Sequence, residues 1–191
     1  MVSSRINQYG IIKSSRDKKR QTFESKKSPK GLRDLMPELP DEEDSFRLVS
    51  VRGGFSSISF ITHVALQEPI SELTATTLRV GKKQLNILQQ LKRDGRLYDA
   101  RFLVGGIMKE NKAHGKEYDY FTYLNDVCKK QGWQYQAVNN HSKIILMRTA
   151  DNHYVLETSL NLNENPKIEQ FTFENDEGLY DFYYNLYKEM W

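Results

Sequence analysis

At 191 residues, with 38% of positions hydrophobic, the chain fits one ordinary domain with a sizeable core plus a tail. Its 28 Lys and Arg against 25 Asp and Glu leave a net charge of +3, so the distribution of charge says more than its total. The single cysteine, Cys128, excludes an internal disulfide framework and fits a reducing compartment. No apolar run is long enough to span a bilayer, and the N-terminus lacks a signal peptide's apolar core, so a cytoplasmic protein is expected.

Residues 1–44 differ from the rest. Arg16, Lys18, Lys19, Arg20, Lys26, Lys27 and Lys30 fall in a span of Ser, Gln and Lys with little apolar content, and Asp41-Glu42-Glu43-Asp44 follows. Low hydrophobicity with clustered charge predicts a partly disordered basic arm. It is either a solvated tail or an arm that draws nucleic acid by counterion release. Leu32, Leu35, Met36 and Leu39 are expected to form a short turn that docks on a domain covering 45–191.

Phe46 to Arg52 alternates as a strand and ends in Gly53-Gly54. Arg52-Gly53-Gly54-Phe55-Ser56 reads first as a turn, with a backbone phosphate cradle as its second use. Ser56 to Gln67 suits a helix, with a strand as the alternative because Ile and Phe abound. Glu72 to Val80 is Thr-rich and alternating, the mark of a central strand. Gly81 to Gly95 puts Leu85, Ile87, Leu88 and Leu91 on one helical face and is stopped by glycine. Tyr98 to Val104 reads as a strand, Tyr118 to Gln131 as a helix holding Cys128 as a small buried residue, and Trp133 to Val138 as a strand. A last helix, Glu177 to Trp191, carries Leu179, Phe182, Leu186 and Met190 at helical spacing. Around them stand Tyr180, Tyr183, Tyr184 and Tyr187, read as a docking belt rather than a platform for bases. This alternation predicts an α/β fold, a mixed β-sheet sandwiched between helices, with no internal repeat.

The densest chemistry lies between Asn140 and Gln170. His141 and Lys143 lead into the apolar run Ile144 to Met147, and a polar turn and a second run, Tyr154 to Glu157, follow. Then come Ser159 and Asn161, and a third run, Ile168 to Phe173, carries Glu169. A hairpin plus a third strand would gather these polar groups at one edge, because strand side chains alternate between faces. An ammonium and an amide suit two oxygens of a phosphodiester. A histidine beside them suits attack on phosphorus or protonation of a leaving oxygen, and a carboxylate behind it would fix its tautomer. The alternative is an ordinary amphipathic hairpin whose polar groups face water.

His141-x-Lys143, the paired strands, Ser159-x-Asn161 and Glu169 resemble the half-site motif of the phospholipase D superfamily, most closely its small single-motif bacterial endonucleases. The resemblance implies an α-β-α sandwich. It assigns His141 as nucleophile or general acid, Lys143 and Asn161 as phosphate ligands, Ser159 as a loop or phosphate support, and Glu169 as the group orienting the histidine. Where the family has an aspartate five residues after the lysine this chain has Arg148, and where it has glycine before the serine this chain has Thr158.

One copy of the half-site implies a homodimer, because one histidine cannot both attack and protonate across phosphorus. Neither cofactor nor metal is expected: Lys143 and Asn161 supply the stabilisation, and His63, His114 and His153 lack ligand spacing. The expected activity is a metal-independent phosphodiesterase, foremost a nuclease acting on DNA or RNA, with no membrane partner. A nucleic-acid-binding module without turnover and a phospholipid phosphodiesterase stay open.

Overall fold

The computed structural model describes residues 12–16, 19–26, 31–42, 44–51, 54–110, 120–164 and 167–191. Among them nine strands form one mixed sheet in the order β1-β2-β3-β9-β8-β7-β4-β5-β6. The strands are β1 Ile12–Arg16, β2 Lys19–Lys26, β3 Ser45–Ser50, β4 Ile70–Thr77, β5 Leu97–Gly105, β6 Gln134–Val138, β7 Ile144–Arg148, β8 His153–Thr158 and β9 Glu169–Asn175. The helices are α1 Leu32–Leu35, α2 Ser57–Gln67, α3 Lys82–Arg93, α4 Ile107–Glu110, α5 Tyr120–Gln131 and α6 Glu177–Lys188.

The run β4-β5-β6 is parallel, with α3 between β4 and β5 and α5 between β5 and β6, and β7, β8 and β9 return antiparallel to their neighbours. β4 is an interior strand between β7 and β5, and Leu73 to Thr77 is buried on both faces, which fits a β-branched, Thr-rich strand with helices on either side. Ser56, predicted as either helix or strand, opens α2: its N–H donates to Ser59 Oγ at 3.1 Å, a reciprocal cap that settles the helix. Gly95 ends α3 with φ of 68°, a left-handed geometry that glycine adopts without Cβ strain.

Helices α1, α2, α3 and α5 bury the main core against one face of the sheet, and α6 closes the other. Leu32 and Met36 are buried there, so the turn predicted at that point docks. The stretch predicted as a basic arm also contributes β1 and β2, which extend the sheet beyond β3. On α6 the tyrosines face inward: Tyr180 and Tyr187 are buried, while Phe182, Leu186 and Met190 are exposed. Apolar spacing alone would have turned those three inward. Tyr180 and Tyr187 pack on Leu103, Leu146 and Val155, while at the margin Tyr183 donates to Glu157 and Arg101 lies 3.5 Å from the Tyr184 hydroxyl. Cys128 is buried, and burial pushes its thiol up to about 12. No helix among the described residues is long and apolar enough to cross a membrane.

Candidate active site

Strand directions place one end of the sheet apart. The carboxyl ends of β3, β4, β5, β6 and β8 converge there with the start of β7 and β9 and the first turns of α2, α3 and α5. Open α/β sheets bind ligands at this end, where loops leave in opposite directions and a crevice opens. His141, Lys143, Ser159, Asn161 and Glu169 all lie there. The motif residues stand just past the strand ends rather than on them, apart from Glu169, which opens β9.

His141 is exposed, and its backbone is held from both sides. Asn140 Nδ2 donates to the carbonyls of Thr77 (3.3 Å) and Leu103 (3.0 Å), spanning the ends of β4 and β5. Asn140 Oδ1 accepts from Ser142 N (2.9 Å) and Ser142 Oγ (2.7 Å). Ser142 Oγ lies 2.9 Å from Thr76 Oγ1, and the same Thr76 oxygen accepts from Ile144 N at 3.0 Å. The residues flanking the histidine are thus pinned to the ends of β4 and β5, while the ring is left outside the clamp.

Lys143 curls back over His141: Nζ donates to its carbonyl at 2.8 Å and lies 3.3 Å from Nδ1. An ammonium only donates, so this contact requires Nδ1 to be unprotonated and places the neutral ring's proton on Nε2. Burial pushes the Lys143 ammonium below its ordinary value, and the Glu169 carboxylate pulls part of the way back. Glu169 is buried and accepts from Ser159 Oγ, which in turn accepts from Gln170 N at 3.0 Å. Four of the five groups therefore form two touching pairs, His141 with Lys143 and Ser159 with Glu169, coupled through the field between Lys143 and Glu169.

Asn161 completes the ring of polar groups. Its Oδ1 accepts from Leu78 N at 3.3 Å, and its amide nitrogen makes no hydrogen bond among the described residues. One backbone bond and one bond to a side chain fix this loop: Gly81 N donates to Leu162 O at 2.8 Å, and Leu162 N donates to Thr77 Oγ1 at 2.9 Å. Gly105 N reaches Leu78 O at 3.2 Å, and a Cβ on Gly105 would stand 2.9 Å from that carbonyl, so the close approach requires glycine.

The two departures from the motif have different meanings. Thr158 Oγ1 accepts from Leu160 N at 2.9 Å, shaping the turn that carries Ser159 and Asn161. Arg148 lies at the far end of β7, about 17 Å from Lys143 at the rise of a strand. There it pairs at 2.5 Å with buried Glu72, which Arg101 also holds at 3.1 Å. Arg148 is thus a structural partner on the α6 side and no part of the site.

His153 starts β8 at the opposite end, against the Tyr180 ring, and His63 is buried in α2. His114, Arg52 and Gly53 lie outside the described residues, so the predicted cradle is not placed. Among the described residues no three His, Cys, Asp or Glu side chains gather as a metal site. Sequence reasoning missed Asn140, Ser142, Thr76 and Thr77. Their signal was the polar tripeptide around His141 facing a Thr-Thr pair on the central strand.

No protein-family model and no curated protein matches the chain. Solved structures do. Polyphosphate kinase from Porphyromonas gingivalis superposes with a TM-score of 0.55 at 14% identity, over 75% of this chain and 25% of that one. Phosphatidylserine synthase of Haemophilus influenzae Rd KW20 superposes with a TM-score of 0.50 at 16% identity, over 76% of this chain and 37% of that one. The chain thus spans about a quarter and about a third of these two structures, and both are members of the phospholipase D superfamily. Helices on both faces of a mixed sheet in this strand order, with the polar cluster at its carboxyl end, give the chain the phospholipase D-like fold.

Proposed function

We propose that the chain is a phosphodiesterase acting on nucleic acid, with His141 as nucleophile and a second copy of the chain completing the site. The observation that carries this reading is the grouping of one exposed imidazole, one ammonium and one side-chain amide at the carboxyl end of the sheet. Two neighbours of the same fold are named for enzymes of phosphate compounds, polyphosphate and phosphatidylserine, which fits it.

A phosphodiester entering this end brings its non-bridging oxygens to Lys143 Nζ and Asn161 Nδ2. Drawing the ammonium off His141 frees Nδ1 to take the ring proton and leaves a lone pair on Nε2. Nε2 attacks phosphorus in line, the P–O bond on the far side breaks, and the leaving oxygen takes a proton from the His141 of the partner subunit, which acts as the imidazolium and is left neutral. Water, deprotonated by that same partner histidine, then displaces the phosphohistidine bond and regenerates the imidazole. Glu169 orients the ring and stabilises its cation, and Ser159 holds Glu169. Preorganised donors at the developing charge are each worth about 10²–10³ in rate, so Lys143 and Asn161 supply what a metal supplies elsewhere.

Two features favour the second copy. Among the described residues no other histidine stands at this end of the sheet. Ile168, next to Glu169 at the rim, is 69% exposed, a large apolar side chain suited to burial between subunits. Cleavage of labelled single- and double-stranded DNA and RNA in excess EDTA tests the reading. Wild type cleaves, His141→Ala does not, and mixed wild-type and His141→Ala subunits cleave below the rate set by wild-type content. Unaltered cleavage by His141→Ala rejects the nucleophile, and rates proportional to wild-type content reject the shared site.

A further inference from the structure

Beside the candidate site the first turns of α3 and α5 carry side chains that its chemistry does not use. Lys82 Nζ lies 5.5 Å from the Tyr120 ring centroid and 5.9 Å from that of Tyr123, so one ammonium bridges two rings. Lys109, on α4, lies 5.8 Å from the Phe121 ring. Tyr120 is 58% exposed, a large aromatic left in water at a position where a helix could carry any polar residue. Tyr123 is instead held by its hydroxyl on Asn86.

This ledge is joined to Asn161 by short backbone paths. Lys82 follows Gly81, whose N–H bonds the residue after Asn161, and Lys109 follows the β5 end whose Gly105 bonds the Leu78 that holds the Asn161 amide. A strand gripped at Lys143 and Asn161 therefore passes these cations within a few nucleotides. Alternating cations and rings is the chemistry of single-strand recognition: ammonium groups track phosphates while an unpaired base stacks on an exposed ring. In a duplex, neighbouring bases cover those faces.

Resting on the nuclease reading, we infer that the ledge formed by Lys82, Lys109 and Tyr120 binds single-stranded nucleic acid, with one base stacked on Tyr120. The substrate class of the site is thereby single-stranded rather than duplex. Stacking of one base is worth about tenfold in affinity or somewhat more.

The test measures anisotropy of a labelled 12-nucleotide single strand and the matching duplex, using full chains that also carry His141→Ala to prevent cleavage. Tyr120→Ala weakens single-strand binding about tenfold, Tyr120→Phe keeps it, and duplex binding moves with neither. Lys82→Gln lowers the slope of log affinity on log salt by about 0.7, the single-strand value for one phosphate contact. Equal single-strand affinity in Tyr120→Ala and wild type overturns the ledge, as does a duplex bound tighter than the single strand. Hydrolysis of bis(p-nitrophenyl) phosphate by Tyr120→Ala with His141 intact separates the two readings. If that diester is cleaved while the stacking effect is absent, the ledge fails and the diesterase stands. If the stacking effect is present while no variant cleaves any diester, the ledge stands as a binding surface and the diesterase fails.

Discussion

Arg148→Asp installs the residue that the phospholipase D motif carries five positions after its lysine, and the structure predicts that this weakens the protein. Arg148 Nη2 sits 2.5 Å from Glu72 Oε2, and the Glu72 side chain is 5% exposed against 43% for Arg148. Breaking a fully buried pair costs about 3–5 kcal/mol. Half-exposure of the arginine, and the second hold on Glu72 from Arg101 at 3.1 Å, reduce that to about 1–2 kcal/mol. Setting a carboxylate opposite Glu72, on the half-exposed side of the pair where the dielectric is close to that of water, adds about 1 kcal/mol of repulsion. The expected total is roughly 2–3 kcal/mol, which for a chain of this size lowers Tm by about 4–12 °C. Thermal unfolding followed by circular dichroism at pH 7 measures it, with Arg148→Asn as the control that lacks the repulsion and loses less. Diester turnover below Tm stays within about twofold, because the pair lies some 17 Å from Lys143 along β7. An Arg148→Asp variant that is as stable as wild type and turns over faster would refute the reasoning.

Three further outcomes follow from the geometry of the site. Asn140→Ala orphans the Thr77 and Leu103 carbonyls and releases Ser142, so kcat falls about 10²-fold or more with KM little changed, as expected when a misplaced ring no longer meets phosphorus. Steady-state kinetics on a small diester measures the split, and a rise in KM alone would count against the clamp. Lys143 gives a pH dependence: burial depresses its pKa, so the ammonium is lost at lower pH than an ordinary lysine's 10.5, and activity needing that charge declines before then as pH rises. For stability the sign is opposite. The depressed pKa is a cost to the fold fully present below the folded value and relieved as pH rises from there toward 10.5, so Lys143→Met is more stable than wild type at neutral pH and loses this advantage in alkali. Denaturant midpoints across that range check it. Gly105→Ala pushes the Leu78 carbonyl, whose residue holds the Asn161 amide, so affinity for the diester falls more than fold stability does. Inhibition by inorganic phosphate reports that affinity.

Much of the architecture was legible because burial imposes a period. α3 shows four apolar residues on one face, and β4 shows alternation rich in Thr, so both announce themselves. The candidate residues were legible for another reason: their types and order are constrained by chemistry rather than by packing. What holds them was not legible. Asn140 reaches the ends of β4 and β5 through hydrogen bonds to carbonyls, and such contacts leave no repeating trace. The Arg148–Glu72 pair joins residues 76 positions apart, which a linear reading cannot connect. β1 and β2 are polar in sequence, and strands recruited by backbone pairing at a sheet edge need no apolar alternation. On α6 tyrosines took the inward face: Tyr183 and Tyr184 meet Glu157 and Arg101 through their hydroxyls, while Tyr180 and Tyr187 pack on Leu103, Leu146 and Val155, a division that apolar spacing does not announce.

The central claim is that the His141 imidazole attacks phosphorus. Rapid acid-free quenching of wild type with excess labelled diester, followed by alkaline digestion conditions that preserve phosphoramidate bonds and by peptide mass spectrometry, tests it most directly. The account predicts a transient phosphoryl adduct on the peptide containing His141, formed at the rate of first product release and absent from His141→Ala. Product formed with no adduct at any time, or an adduct on another residue, would contradict it.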